Sequence, residues 1–125
     1  MADLNRKVGE MNYDGLITDL NPPVQVHGGT IAKLSAKATY MRGTILAKDG
    51  DGKLVILGTA DSVPDCILCD DTEIGTTADV NAAVYTAGCF DPDKVTVKDA
   101  YDITEEDRDE LRKRNIVFRS VFDAN

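Results

Sequence analysis

The residues with the greatest chemical reach in this chain are its three cysteines and its single histidine. Cys66-Ile-Leu-Cys69 is a C-x-x-C, and Cys89 with His27 would complete a four-ligand set of the kind that holds zinc. That chemistry needs a turn or knuckle, so that both thiolates aim at one ion. Here Ile67 and Leu68 separate the thiols and the segment reads as strand, where residues three apart point to opposite faces. A redox pair would sit at a helix start, and no helical pattern follows Cys69. The cysteines are therefore expected to be reduced, small apolar residues of the interior, and no metal is expected.

The remaining candidates resolve in the same direction. Asp49-Gly-Asp-Gly begins like a calcium loop, but Lys53 and Leu54 stand where further oxygen ligands are needed, and no Glu closes the loop. A hairpin turn accounts for it. Asp70, Asp71 and Glu73 read as a solvated acidic loop rather than a shared-proton or cation site. His27 is the one possible general base, placed beside Gly28-Gly29, and a base must be held firmly within hydrogen-bond reach of its target. Gly28-Gly29 and Gly50-Gly52 lack the strand-to-helix setting of a phosphate loop. No catalytic residue and no cofactor is expected, so the chain is read as one that binds rather than transforms.

The elements that must position these residues are mostly strands. The 125 residues suit one domain, and 42% apolar with 29% charged residues is ordinary for a globular chain. Thr44 to Lys48 and Lys53 to Leu57 are predicted to form an antiparallel hairpin around the Asp-Gly turn. Ile31 to Ala38 reads as a short strand or turn leading to Tyr40-Met41. Ser62-Val-Pro-Asp reads as a turn, Cys66 to Asp70 as a short buried strand, and Asp71 to Thr77 as a polar loop. Val80 to Phe90 reads as a strand with Val80, Ala82, Val84 and Thr86 on one face and a bulge or bend at Gly88. Lys94 to Val97 and Ile116 to Val121 are the last predicted strands. One helix stands apart, Thr104 to Asn115, with a Thr cap, an acidic first turn and a basic last turn. Asp109 with Lys113 and Glu110 with Arg114 are spaced as favourable pairs, and Ile103 and Leu111 are nearly its only apolar anchors. The expected fold class is mainly β, a small barrel or sandwich, with one short α-helix near the C-terminus.

Two domains of behaviour are read along the chain: residues 1–29 as an extended N-terminal arm, and 30–125 as the β-rich body. Pro22-Pro23 holds the arm extended and removes amide donors. Ile17, Leu20, Val24 and Val26 are apolar residues such an arm cannot bury alone, which suits it to a partner's surface or sheet. An ordinary N-terminal strand packed on its own domain fits the same residues. Met1 to Lys7 lacks the apolar stretch of a secretory signal, and no apolar run approaches the roughly 18 residues of a membrane helix, so synthesis in a cytoplasm and no membrane partner are expected. The net charge of −8 argues against nucleic acid. Charge is uneven: residues 31–60 carry five Lys and Arg against two Asp, a net +3, and residues 61–100 carry two Lys against nine carboxylates, a net −7. Either these segments pair with one another, or an acidic face meets a basic partner, or the charges simply face water.

The order of segments Gly43-Thr-Ile-Leu, Lys53-Leu-Val-Ile, Val63-Pro-Asp-Cys-Ile-Leu-Cys-Asp-Asp and Ala83-Val-Tyr-Thr-Ala-Gly-Cys-Phe resembles the head decoration proteins of lambda-type tailed bacteriophages. The acidic-to-basic helix Glu105 to Arg114 and the apolar run Ile116 to Val121 extend the likeness over residues 40–122. One departure is Cys66, where the family tends to carry Gly before Ile-Leu. The resemblance implies a β-clip-like body that forms homotrimers on the outer surface of the expanded head, at its local three-fold positions. It also implies that the protein cements the shell against internal DNA pressure, with the major capsid protein as partner and the virion as its location after synthesis in the host cytoplasm. The family's arm orders on binding and adds to strands of the capsid protein. Ile17, Leu20, Pro22, Pro23, Val24 and Val26 are thereby the expected capsid-binding residues. The alternatives are a β-rich trimeric tail, fibre or host-recognition module, and a small enzyme using one of the cysteines.

Overall fold

The structure, a computed structural model, describes residues 15–120. Among the described residues nine strands and one helix follow in order: β1 Ile17–Asp19, β2 Gln25–Ile31, β3 Ala38–Tyr40, β4 Ile45–Lys48, β5 Leu54–Ile56, β6 Val63–Leu68, β7 Thr72–Ile74, β8 Val80–Phe90, α1 Glu105–Lys113 and β9 Ile116–Phe118. The protein is mainly β, a small closed barrel with its short helix near the C-terminus.

β8 is the strand on which the others are hung. Its first half pairs antiparallel with β2 on one side, from Ile31↔Val80 to Gln25↔Ala87, and with β6 on the other, through Ile67↔Tyr85 and Leu68↔Val84. Its second half takes β1 antiparallel, Ile17↔Phe90, and β9 parallel, Gly88↔Ile116 to Phe90↔Phe118. The barrel runs β8-β2-β5-β4-β6 and back to β8, and β2 meets β5 at the single pair Ile31↔Leu54. β3 and β7 form a separate two-stranded ribbon.

Local chemistry explains the hairpin. The Asp49 carboxylate accepts from the amides of Asp51 and Lys53, and Gly52 adopts φ +78° to let β5 return beside β4. The helix is fixed at its start by a capping box. The Thr104 hydroxyl accepts from the Asp107 amide while the Asp107 carboxylate accepts from the Thr104 amide and from the Tyr101 hydroxyl. Leu111 is wholly buried against the barrel, and the Arg114 guanidinium lies 3.5 Å from the Asp65 carboxylate on β6. Glu110 pairs with Arg114 as the spacing predicts, whereas Asp109 pairs with Arg112 rather than Lys113.

Four expectations are corrected. Residues 15–29 do not form a free arm: Leu16 and Ile17 are core residues, and β2 is paired with β8 along its whole length. The reason is non-local, since the strand that completes these residues lies more than fifty positions later in the chain. Residues 1–14 of the expected arm lie outside the described residues. Val63-Pro-Asp is strand rather than turn. Pro64 is tolerated because the register between β4 and β6 skips one residue, Cys66 facing Leu46 and Pro64 facing Ala47, which is a bulge where a missing amide costs little. Residues 72–74 are not loop but β7, which buries Ile74 and leaves Glu73 in water. Lys94 to Val97 is not a strand: it makes one bridge, Thr44↔Thr96, while Val95 and Val97 pack on the core without further pairing. The expected bend at Gly88 is present, with φ +149° where β8 passes from its β2 and β6 partners to β1 and β9, and a further irregularity falls at Thr86, between the pairs Gln25↔Ala87 and Val26↔Tyr85. Val121 of the final predicted strand lies outside the described residues.

Two apolar clusters fill the body. Phe90, Tyr85, Ile45, Ile67, Leu111 and Ile116 belong to the larger, and Leu46, Cys66, Leu68, Ile74 and Val84 to the smaller. Tyr85 and Phe90 meet ring to ring at 5.4 Å, tilted by 47°. The basic and acidic segments also meet, Lys53 with Asp79 at 2.8 Å and Lys37 with Glu73 at 3.3 Å. These contacts join parts of residues 31–60 to parts of 61–100. The Lys53 ammonium and the Lys33 amide together hold the Asp79 carboxyl below its ordinary range.

Candidate functional surface

The fold buries each of the three cysteines. Cys66 belongs to the smaller cluster and Cys69 to the larger, so the two thiols point to opposite sides of β6 and the segment after it. Cys89 is buried as well, with the Thr18 hydroxyl 3.3 Å from its sulfur. Burial raises the Cys66 thiol far above its usual range, and burial with the nearby Asp70 charge pushes Cys69 up to about 11. The thiolate is the reactive form, so in the folded protein iodoacetamide at neutral pH is expected to label the cysteines about a hundredfold more slowly than in denaturant. Mass spectrometry of the labelled chain reads this directly, and rapid labelling of one cysteine would favour the thiol enzyme. His27 is on β2 opposite Val84, exposed, and belongs to no mobile arm. Among the described residues no cluster of His, Cys, Asp or Glu is placed to hold a metal ion.

The six expected capsid-binding residues are divided by the fold. Ile17 is buried and Val24 packs against the larger cluster, where each serves the core. Between them the chain turns through Leu20 to Pro23, with a cis Asn21–Pro22 peptide and the Asp19 carboxylate accepting from the Leu20 amide at 2.7 Å. Asp19 is in turn bonded by the Arg119 guanidinium at 3.1 Å. Leu20 stands 77% exposed and Val26 52%, Pro23 is exposed, and Pro22 is half-buried. The turn is thus a braced, apolar protrusion between β1 and β2. Met41 and Val63 are further exposed apolar residues. Val63 was hidden by reading its segment as a turn; its alternation with buried Pro64 is the signal that would have found it.

No protein-family model matches the chain, and a search of the curated proteins finds no match. No helix among the described residues is long and apolar enough to cross a membrane.

Proposed function

We propose that this protein is a non-catalytic decoration protein of a tailed-phage head, binding the outside of the expanded shell as a homotrimer and stabilising it. The observation that carries this reading is the outward apolar run Leu20, Pro23 and Val26, set on a β framework that does not need them for its own core. The order of segments that resembles the lambda-type family supports it, and so does the burial of all three thiols. The physical logic is mass action. A clamp that binds only the expanded lattice stabilises it by about 2.7 kcal/mol per site at a hundredfold excess over Kd. Three such contacts on one trimer let each be weak while the whole holds.

Replacing Leu20, Pro23 and Val26 together by Ser tests the reading. Thermal melting is expected to shift little, because exposed substitutions usually cost within about 0.5 kcal/mol each. Co-sedimentation with expanded heads should fall by about a hundredfold or more, since a loss of about 1 kcal/mol per contact is tripled in the trimer. Undiminished co-sedimentation would count against this surface. Label found on the tail rather than scattered over the head would transfer the protein to the tail or fibre class.

A further inference from the structure

β2 and β5 meet only at Ile31↔Leu54, so along Gly28 to Thr30 the barrel wall has a gap beside the Asp49–Gly52 turn. The gap opens on a cavity of about 440 Å³ to which every strand of the barrel contributes: Gly29 from β2, Lys48 from β4, Leu54 from β5, Asp65 from β6 and Val84 from β8. Mouths of β-barrels with volumes in this range are favoured places for small-molecule binding. Glycine keeps the space open. A Cβ built on Gly29 would lie 2.6 Å from the Leu54 Cδ1 atom, so any side chain there would fill the mouth. The Ala32 amide donates to the Leu54 carbonyl at 2.9 Å. Thr30 and Gly28, two and four residues earlier, therefore turn their N–H and C=O groups the same way, into the gap.

Two opposite charges line this cavity without meeting. The Lys48 ammonium makes no ion pair and no hydrogen bond among the described residues. The Asp65 carboxylate has the Arg114 guanidinium at 3.5 Å and accepts from the Cys66 thiol. Those contacts occupy about half of the acceptor sites a carboxylate offers, which leaves the rest for a further donor. Leu54 and Val84 are both buried and give the cavity an apolar floor. A cation alone would suit a simple anion, and a carboxylate alone a simple cation. Both together, over an apolar floor and beside backbone groups that no strand receives, suit a molecule carrying both charges next to a short hydrocarbon group.

We infer that the cavity at the barrel mouth binds a free α-amino acid with an apolar side chain. The ligand's carboxylate accepts from the Lys48 ammonium and from an amide of Gly28 or Thr30. Its ammonium donates to Asp65, and its side chain rests on Leu54 and Val84. Held in this way it connects β2 to β4, β5 and β6 at the seam where the barrel's own pairing is a single rung. Occupancy therefore stabilises the fold as well, because the unfolded chain offers no such site. The site needs neither a capsid nor a second copy of the chain, and it goes beyond the function proposed above.

Titration of the full-length, isotope-labelled chain with L-leucine at pH 7, followed through its amide resonances, tests the site. Saturable shifts are expected at Gly28 to Thr30, Lys48 and Leu54, with a dissociation constant of about 1 mM or below, which is within reach of so small a ligand. Two analogues dissect the contacts: 4-methylpentanoate lacks the ammonium and 3-methylbutylamine lacks the carboxylate. Each should bind at least about tenfold more weakly, as should leucine to Lys48→Met and to Asp65→Asn, since each change removes a charge-assisted hydrogen bond. Lys37→Met removes an equal charge from the β3–β7 ribbon and should leave the affinity as it was. The spectra report folding of every variant, and the analogues test the unaltered protein. No saturable shift at about 10 mM leucine would overturn the proposal, and so would 4-methylpentanoate binding as tightly as leucine. Undiminished binding by Lys48→Met would overturn it too.

Discussion

A chain that begins at Thr30 is expected not to fold. Such a deletion removes Leu16 and Ile17, which are 1% and 8% exposed, and five of the seven residues of β2. The two core side chains alone are worth about 3–6 kcal/mol at about 1.5–3 kcal/mol each. The amide of Asp91 loses the Leu16 carbonyl it bonds at 2.8 Å, and Ala82 to Ala87 of β8 lose their partners on one side. A domain of this size holds only about 5–15 kcal/mol in reserve, so the sum consumes much or all of it. The bared edge of β8 also invites aggregation. Far-UV circular dichroism and sedimentation of the shortened chain read the outcome. A soluble, cooperatively melting product would show that β1 and β2 are dispensable and would sink this placement. A chain beginning at Gly15 retains every one of these contacts and should keep its β signal.

Gly43→Ala is expected to lower stability by about 3 kcal/mol, from backbone strain and overpacking together. Gly43 has φ +95°, and a Cβ there would lie 2.8 Å from the Lys94 carbonyl oxygen. That oxygen is backbone and cannot swing aside. It is held by the exchange of hydrogen bonds next to it, Thr96 amide to Gly43 carbonyl at 3.1 Å and Ile45 amide to Thr96 carbonyl at 2.8 Å. The melting temperature should fall by about 10 °C. Gly50→Ala is the control, because no atom lies within 4 Å of its built Cβ. Equal melting of the two variants would mean that the 94–97 segment is free to move away from Gly43.

What was legible in the residues was what local chemistry determines. Asp49-Gly-Asp-Gly makes its own hairpin by bonding its own amides, and Thr104 with Asp107 caps a helix whose ends carry the right charges. β8 runs from Val80 to Phe90, the limits its apolar and β-branched residues set. What was not legible depends on partners distant in sequence. Pro64 looks like a turn residue until the one-residue skip opposite Leu46 and Ala47 shows why it can stand in a strand. Val95 and Val97 alternate like strand residues, yet packing satisfies both and pairing stops after one bridge. β7 has a single buried residue, Ile74, so its polar sequence gives no strand pattern. For the candidate surface, the residues from Ile17 to Val26 read as one apolar run, and the fold divides them between core and solvent. Ile17 is turned in by its pairing with Phe90 of β8 while Leu20 stands beyond the end of β1, and nothing near them in the chain announces it.

Phe90 is flanked on one side by Ile17 and on the other by Phe118. With strands about 4.8 Å apart, the two places where the described chain starts and stops are about 10 Å from each other. Any cargo grafted before β1 or after β9 therefore leaves the barrel from one and the same pole. A short bridge between those points would let the polypeptide be reopened at the Asp49–Gly52 turn with its wiring otherwise intact.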